Sequence, residues 1–459
     1  MKKQLLVLAI FLLPAIAFAQ GRVPPVQRPA PWLVEKAKGF SFHAFEDDQG
    51  GYYLVWTQPE GELYELFAQH TSSSGAKSWP EPGLVLAQGL PSPHEWHALP
   101  DAKGGLHVVW TQSGHIHAQR MDPEHHPLWT DTAEALSTSA FEQSMPTGVA
   151  DGGGGIYVIW IEQRYPDRTV LVGQHLSQTG AKLWGVEGQR VSLRPSNQRR
   201  PKVITDGVAG FIVAWNDFRE QASQLQIQRL DYQGNMPWDP SGLLVTAPAG
   251  DDRNPPMMAA VGKGSAVIAW TVGDGAGINH VLLQYVDSKG NFLWGPSGKP
   301  ASQEPQSKWN PIVYGDGQGG SFVGWEDYRS QIQWQVYVQH FHQDGQPVWG
   351  SDVAIAPSGA GQGTLDLADD GQGGSFAAWI DNRFGTAGLF AQQISTDGVR
   401  MWGDGGTPIA QGLTKPQHVE ILSTAPGKAI VLWADEEKNG LWDLYLAPLV
   451  PPATAVVVH

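Results

Sequence analysis

One tryptophan returns eight times along this chain at a nearly constant spacing, and this repeat limits the possible folds more than any other feature. The first tryptophan column consists of Trp56, Trp110, Trp160, Trp215, Trp270, Trp325, Trp379 and Trp433, with steps of 54, 50, 55, 55, 55, 54 and 54 residues. A second tryptophan column is interleaved with it, at Trp32, Trp79, Trp129, Trp184, Trp238, Trp294, Trp349 and Trp402. Short apolar runs and glycine turns separate the tryptophans, without a helical periodicity. The chain is therefore a repeat protein of eight similar units.

Each repeat divides into four short strands, which predicts an all-β fold, an eight-bladed β-propeller. In the sixth repeat we expect strands near 311–314, 321–325, 334–341 and 353–356. The runs that precede the first column, such as 211–215, are apolar at consecutive positions, as in strands covered on both faces. The eighth repeat lacks its own second-column tryptophan. We therefore expect the N-terminal strand after Trp32 to join the last blade and close the ring.

Two small features recur at fixed positions in the repeat. Glycine stands five residues before the first-column tryptophan in six repeats, where we expect a hairpin turn to need positive φ: Gly51, Gly105, Gly155, Gly210, Gly320 and Gly374. Glutamine recurs on the third strand, where we expect it to hydrogen-bond from blade to blade: Gln69, Gln119, Gln174, Gln228, Gln284, Gln339 and Gln392.

The N-terminus has the pattern of a bacterial secretory signal, with Lys2 and Lys3, an apolar run over 5–18 and the small residues Ala17 and Ala19. We expect a signal peptide at 1–19, a Pro-rich leader at 20–31, one propeller domain at 32–450 and a C-terminal tail at 451–459. No later segment reaches the ~18 unbroken apolar residues that a membrane helix needs. The mature chain is therefore expected to be secreted or periplasmic, with no transmembrane segment.

Charge and composition argue against several classes of function. The formal net charge is −15, and we expect the Lys and Arg residues to be scattered without a basic stripe, so nucleic acid is not an expected partner. The chain has no cysteine, which rules out disulfides and thiolate metal sites. No cofactor is predicted.

The segment Leu-Ser-Gln-Thr-Gly-Ala-Lys-Leu-Trp, at 176–184, resembles the tryptophan-docking motif of eight-bladed quinoprotein-type propellers. In that motif a third strand ends in a Thr-Gly turn and a tryptophan packs between blades. Repeats of the form Gly-Gly-x-aliphatic-x-aliphatic-Trp-x-Asp-x-Arg also resemble those of uncharacterised secreted bacterial propellers. These resemblances imply the architecture. The longer repeat and the additional tryptophan column depart from the quinoprotein pattern.

Charged residues that recur at one position of the repeat are interpreted as structural. Acid–arginine pairs follow the first column and are expected to form loop-fixing salt bridges: Glu162 with Arg164, Asp217 with Arg219, Asp327 with Arg329, and Asp381 with Arg383. Asp-Gly-rich turns are explained by turn chemistry, because they lack the alternating carboxylates of a Ca²⁺ loop. His94 and His97 are candidate metal ligands, although their spacing differs from His-Glu-x-x-His.

Aromatic residues outside both columns are the candidates for ligand binding. We expect them in or beside the loops that enter the first and third strands and open on one rim, where they can stack on sugars or anchor a protein. The predicted ligand-binding residues are Trp96, His97, Trp309, Asn310, Tyr328 and Trp334. The predicted function is a non-catalytic scaffold that recognises a glycan or an extracytoplasmic protein. The alternatives are a propeller enzyme acting on polysaccharide, as a glycosidase or lyase, and a quinoprotein-like dehydrogenase.

Overall fold

The computed structural model describes residues 33–35, 41–47, 49–72, 76–129, 135–194, 196–220, 222–246, 256–436 and 442–449. These residues form 31 strands in eight separate antiparallel sheets. The described residues contain no helix that is long and apolar enough to cross a membrane. The predicted signal peptide, leader and C-terminal tail lie outside these ranges.

The sheets follow one another along the chain as blades, and their strands have the following bounds. Blade 1 contains β2 (Phe42–Glu46), β3 (Tyr52–Glu60), β4 (Leu63–Thr71) and β5 (Leu84–Leu90), and blade 2 contains β6 (Trp96–Pro100), β7 (Leu106–Gln112) and β8 (His115–Met121). Blade 3 contains β9 (Gln143–Ala150), β10 (Ile156–Tyr165), β11 (Arg168–Leu176) and β12 (Gln189–Arg190), and blade 4 contains β13 (Gln198–Thr205), β14 (Gly210–Glu220), β15 (Ala222–Asp231) and β16 (Leu243–Thr246). Blade 5 contains β17 (Met257–Gly262), β18 (Ser265–Gly273), β19 (Asn279–Val286) and β20 (Lys299–Pro300), and blade 6 contains β21 (Lys308–Gly315), β22 (Ser321–Asp327), β23 (Gln335–Phe341) and β24 (Val353–Ala354). Blade 7 contains β25 (Gln362–Asp369), β26 (Ser375–Asp381), β27 (Ala387–Ile394) and β28 (Thr407–Leu413), and blade 8 contains β29 (Pro416–Ala425), β30 (Lys428–Glu436), β31 (Trp442–Leu449) and the N-terminal β1 (Leu33–Glu35).

The ring is closed by pairing between the first and the last strand of the chain. Strand β1 pairs antiparallel with β31, so that Leu33 lies opposite Leu444. The first strands of successive blades contact one another all the way round, including β29 with β2, and enclose a central channel. The predicted all-β, eight-bladed propeller and its closure by the N-terminal strand are confirmed. Trp32, the first member of its column, lies outside the described residues.

Blade 2 differs from the expected four strands. Its described residues form three strands. A single antiparallel bridge between His117 and Ala135 lies where the other blades have their fourth strand. Residues 130–134, which precede this bridge, lie outside the described ranges.

The core lies between blades. Eight clusters of buried apolar side chains are found, and each joins the facing sheets of two neighbouring blades. One of them packs Trp56 of blade 1 against Leu432 of blade 8. Every first-column tryptophan is at most 3% exposed. A middle strand with a sheet on each side has no solvated face, which explains its consecutive apolar residues.

The second tryptophan column connects each blade to the next. The Trp294 indole N–H of blade 5 donates to the Gln343 carbonyl of blade 6 at 2.9 Å. A Cβ on Gly345, which has a φ of 75°, would lie 2.8 Å from the Trp294 ring, so the indole can sit there only because glycine does. Equivalent indole bonds come from Trp79, Trp129, Trp184, Trp238 and Trp349.

The repeated third-strand glutamine acts within its own blade, so the expected blade-to-blade bond is wrong. The Gln284 amide donates to the Gly295 carbonyl at 2.6 Å and accepts from the Trp294 backbone N–H at 3.0 Å. The glutamine therefore holds the segment that carries the second-column tryptophan, and the tryptophan makes the contact with the next blade.

Candidate functional site

The two faces of the ring differ in structure. The turn rim carries the tight turns between first and second and between third and fourth strands, and the loop rim carries the second-to-third hairpins and the loops that enter each first strand. On the turn rim, Asp316 Oδ1 accepts from the Gly320 N–H and Oδ2 contacts His340 Nε2 at 2.9 Å. His70 and His175 pair with Asp47 and Asp151 in the same way. The explanation of the Asp-Gly-rich turns by turn chemistry is therefore confirmed, and histidines at one position of the repeat bond to the same aspartates.

The acid–arginine pairs after the first column are structural as well. Arg164 contacts Glu162 at 2.7 Å, Arg329 contacts Asp327 at 2.8 Å, and Arg383 contacts Asp381 at 2.5 Å. All three acids are fully buried. The predicted loop-fixing role is confirmed for these pairs, whereas the side chain of Arg219 lies outside the described part of the chain.

The predicted ligand-binding residues fall in two groups on opposite sides of the ring. Trp96 and His97 belong to blade 2, and the other four belong to blade 6. Trp96 is only 8% exposed, its ring packs in the core between blades 1 and 2, and its indole N–H donates to the Pro93 carbonyl at 2.8 Å. The expectation of an exposed Trp96 is therefore wrong, because the first residue of β6 faces the neighbouring sheet.

In blade 6, Tyr328 and Trp334 form a half-buried aromatic pair on the loop rim, with ring centroids 5.2 Å apart. Trp334 borders a groove of about 460 Å³ whose lining includes Thr364, Asn382 and Lys415. The groove thus combines an aromatic edge with amide, hydroxyl and ammonium groups from blades 6 to 8.

Trp309 and Asn310 lie nearer the axis. Trp309 is half-buried, and its backbone lies opposite that of Glu326 in the β21–β22 pairing. The Glu326 carboxylate accepts from the Thr364 N–H of blade 7 at 2.9 Å. Asn310 is exposed at a bulge with a φ of 47°. Equivalent bulges place Met145, Arg200, Thr364 and His418 in the same left-handed conformation, with φ from 50° to 54°. These residues surround the mouth of the channel on the loop rim.

Below the mouth, the eight first strands each contribute one residue at the same register, opposite the residue that precedes the first-column tryptophan. This channel belt consists of His43, His97, Thr147, Lys202, Met257, Ile312, Asp366 and Glu420. Each stands 13 residues before its first-column tryptophan. Ionisable groups occupy blades 7, 8, 1 and 2 consecutively, and blade 4. The belt was not anticipated, although this constant offset would have identified it.

Belt side chains reach forward to the next blade. Asp366 accepts from the Ile421 N–H at 2.9 Å, Glu420 accepts from the Ala44 N–H at 3.1 Å, and His97 Nδ1 accepts from the Gly148 N–H at 3.2 Å. Each bond satisfies a backbone donor on the inner edge of a sheet. The carboxylates of the belt are therefore engaged in joining blades.

The enclosed setting shifts the pKa values of the belt. Burial raises the pKa of Asp366 to about 7, and the charge of Glu420 adds to the rise. Burial, together with the positive charges of His43 and Lys202, lowers the pKa of His97 to about 3. Burial also lowers the pKa of His43, but its charge interaction and hydrogen bond with Glu420 outweigh this, and the net pKa is raised. Desolvation of the ammonium inside the ring lowers the pKa of Lys202.

The candidate metal ligands His94 and His97 lie in different settings. His94 is exposed on the loop before β6, whereas His97 is part of the belt. Within the described ranges, no group of three or more His, Asp or Glu side chains is placed to hold a metal ion.

The basic residues are not scattered, contrary to expectation. Eight of the 30 Lys and Arg residues fall between Arg164 and Lys202. Several of these arginines meet aromatic rings on the loop rim of blades 3 and 4, where Arg164 lies over Phe141 and Arg199 lies over Phe218. The concentration is visible in the sequence, but the rings that accompany it come from separate segments.

No protein-family model matches the chain, and no curated protein is similar to it. Similar solved structures include an ulvan lyase from a family of polysaccharide lyases, at 13% identity over 92% of this chain and 96% of that chain, with a TM-score of 0.46. A protein of unknown function from Dyadobacter fermentans is 10% identical over 92% of this chain and 98% of that chain, with a TM-score of 0.42. A Hadza microbial sialidase is 13% identical over 72% and 73%, with a TM-score of 0.34. At these scores the similarities carry nothing about ligand or activity.

Proposed function

We propose that this protein is an exported, non-catalytic scaffold that binds a glycan on its loop rim. The observation that carries the proposal is the groove beside Trp334. Aromatic rings stack on the C–H faces of sugars, while amides, hydroxyls and ammonium groups bind sugar hydroxyls. The groove offers both kinds of contact, because its lining includes Trp334, Thr364 and Asn382 together with Lys415, whose ammonium is also paired with Glu436.

The experiment is binding of the mature protein to a glycan array, followed by titration of the strongest ligand against variants. Trp334→Ala should weaken binding at least about tenfold, which corresponds to about 1.4 kcal/mol. Ile332→Ala is the matched control, because Ile332 is 75% exposed on the same hairpin. Equal affinity of Trp334→Ala and wild type would remove the groove from the site, and capture of a protein partner without any glycan would replace the proposal.

A second candidate function is an enzyme that acts on polysaccharide inside the channel. It is favoured by the belt, which brings Asp366, Glu420, His43 and His97 from four consecutive blades to one level of the channel, and by the pKa of Asp366 near neutrality, which suits a general acid. The bonds of Asp366 and Glu420 to backbone N–H groups of neighbouring blades favour the scaffold instead. Release of new reducing ends or of unsaturated sugars by wild type, and its loss in Asp366→Asn, would decide for the enzyme.

A further inference from the structure

Arginines and aromatic rings form one continuous surface on the loop rim of blades 3 and 4. This arginine–aromatic patch consists of Phe141, Arg164, Tyr165, Arg168, Arg199 and Phe218. Arg164 lies 5.7 Å from the Phe141 ring centroid, Arg168 lies 5.9 Å from that of Tyr165, and Arg199 lies 5.3 Å from that of Phe218. Tyr165 and Arg168 are opposite each other at the tip of the β10–β11 hairpin.

The two blades are joined within the patch. The Thr169 hydroxyl of blade 3 contacts Asn197 Oδ1 at 2.8 Å, in the loop that enters blade 4, and the carbonyl of Gln198, the first residue of β13, at 2.6 Å. Asn197 in turn accepts from Arg199 Nε at 3.4 Å and from the Phe218 N–H at 3.0 Å. The hairpin of blade 3 and the entry loop of blade 4 therefore form one surface.

Two of the three rings of the patch are open to solvent, and the third, Phe218, is half-buried. Tyr165 is 50% exposed and Phe141 is 44% exposed. The Arg168 side chain is also 50% exposed. A guanidinium within about 6 Å of a ring centroid is attracted by the ring, and its planar fork of N–H donors is pre-organised, so little entropy is lost per hydrogen bond formed. Each pair thus presents an apolar ring beside a cationic hydrogen-bond donor.

The arginines in and beside the patch outnumber the acids that form ion pairs with them. Glu162 neutralises Arg164 at 2.7 Å, and the exposed Asp167 lies 3.6 Å from Arg168. Arg190 lies within electrostatic range of Arg164 and Tyr165, and its Nε and Nη2 atoms are buried without a hydrogen-bond partner among the described residues. Burial and the nearby charge of Arg164 lower the pKa of Arg190. Arg164 and Arg168 are therefore paired with acids, whereas Arg190 and Arg199 have no ion pair in the described part of the chain; a further exposed acid, Glu142, follows Phe141.

We infer that the arginine–aromatic patch binds an anionic polysaccharide, with carboxylate or sulfate groups on the guanidinium edges and sugar rings on Tyr165 and Phe141. This inference rests on the proposed glycan-binding function and specifies the chemistry of the ligand. Guanidinium groups match carboxylates and sulfates in geometry. The overall charge of −15 does not oppose this locally, because the Debye length is about 8 Å at physiological ionic strength.

The test uses two matched pairs of polymers, in which only the charge differs: polygalacturonate with its methyl ester, and dextran sulfate with dextran. At about 0.15 M salt we expect wild type to bind one of the charged polymers at least about tenfold more tightly than its neutral partner, with affinity falling as salt is added. The carboxylate and sulfate arms show which anion is preferred. A single-stranded oligonucleotide serves as a third polyanion.

Arg168→Ala combined with Arg199→Ala should reduce charged-polymer binding at least about tenfold. The control combines Lys103→Ala with Lys289→Ala, which removes two exposed positive charges from the turn rim and should change affinity less than about twofold. Equal binding of charged and neutral polymers, an equal loss in the control, or tighter binding of the oligonucleotide would overturn the inference. Glycan binding that depends on Trp334 alone would refute the patch and leave the proposed function standing, whereas binding to no polysaccharide would refute both.

Discussion

His43 Nδ1 and Glu420 Oε1 lie 3.1 Å apart and join blade 1 to blade 8 close to the axis of the ring. The second oxygen of the same carboxylate accepts the Ala44 backbone N–H at 3.1 Å. At the outer edge of the same junction, β1 pairs with β31. The two ends of the ring are thus held together by side chains inside and by strand pairing outside.

Glu420→Gln should destabilise the protein more at pH 6 than at pH 9. The pKa of His43 is raised in the folded state, so its pairing with Glu420 contributes fully below about pH 6.5 and is lost as pH rises through the folded pKa. We expect a cost of about 1–3 kcal/mol at pH 6. Thermal unfolding at both pH values measures it. Glu326→Gln is the control, since Glu326 also bonds to the next blade but has no histidine partner. Equal pH dependence in both variants would contradict the account.

Asp366→Asn should become more stable relative to wild type as the pH rises from 4 to 8.5. Because the folded pKa is raised to about 7, the acid contributes stability below its ordinary pKa of 3.8 and loses it as pH rises through 7. The expected relative gain is on the order of 2–4 kcal/mol. Urea unfolding of both proteins gives the difference, with the exposed Asp369→Asn as control. A constant difference between Asp366→Asn and wild type would show that Asp366 ionises normally.

Trp294→Phe should cost about 1–2 kcal/mol beyond the effect of the smaller ring, because it removes the indole bond to Gln343 of the next blade. Trp270→Phe is the control: Trp270 is a buried tryptophan of the same blade, and its indole N–H has no hydrogen-bond partner among the described residues. Free energies of unfolding from denaturant titration compare them. Equal losses would show that the indole bond contributes nothing to the junction.

Trp96→Ala should affect stability and leave ligand binding unchanged. Its buried ring fills space between blades 1 and 2, so truncation should cost about 3–5 kcal/mol. Affinity for glycan, measured on the folded fraction at low temperature, should equal that of wild type. A large loss of affinity with little loss of stability would contradict this prediction and show that Trp96 contributes to ligand binding.

The fold was predictable because every blade must bury the same residue types at the same places. Trp325 fills an interblade core position that recurs in all eight repeats, and one sequence therefore contains eight observations of it. The recurrent glycine was predicted for the wrong reason. Gly320 needs no positive φ, but a Cβ there would lie 2.4 Å from both Asp316 Oδ2 and the Phe341 carbonyl. Close approach, not backbone conformation, selects glycine at that position.

The site was less predictable because it depends on differences between repeats. At the belt position the blades carry residues as different as Lys202 and Ile312. The residue types within one repeat therefore do not indicate that this position faces the channel. The patch depends on Thr169 meeting Asn197 across a blade boundary, which only the ring geometry provides. Tyr328 and Trp334 were expected on the loop rim and lie there together, and their role in binding stays a prediction.

Hydrogen–deuterium exchange in the presence of a bound polymer tests the loop rim as the glycan-binding surface most directly. With saturating polygalacturonate or dextran sulfate, whichever binds more tightly, amide exchange should slow in segments 163–169 and 328–334 on the loop rim. It should not change in the turns at 101–105 and 316–320 on the turn rim. Protection of those turns with unchanged exchange in the two loop-rim segments would contradict the account.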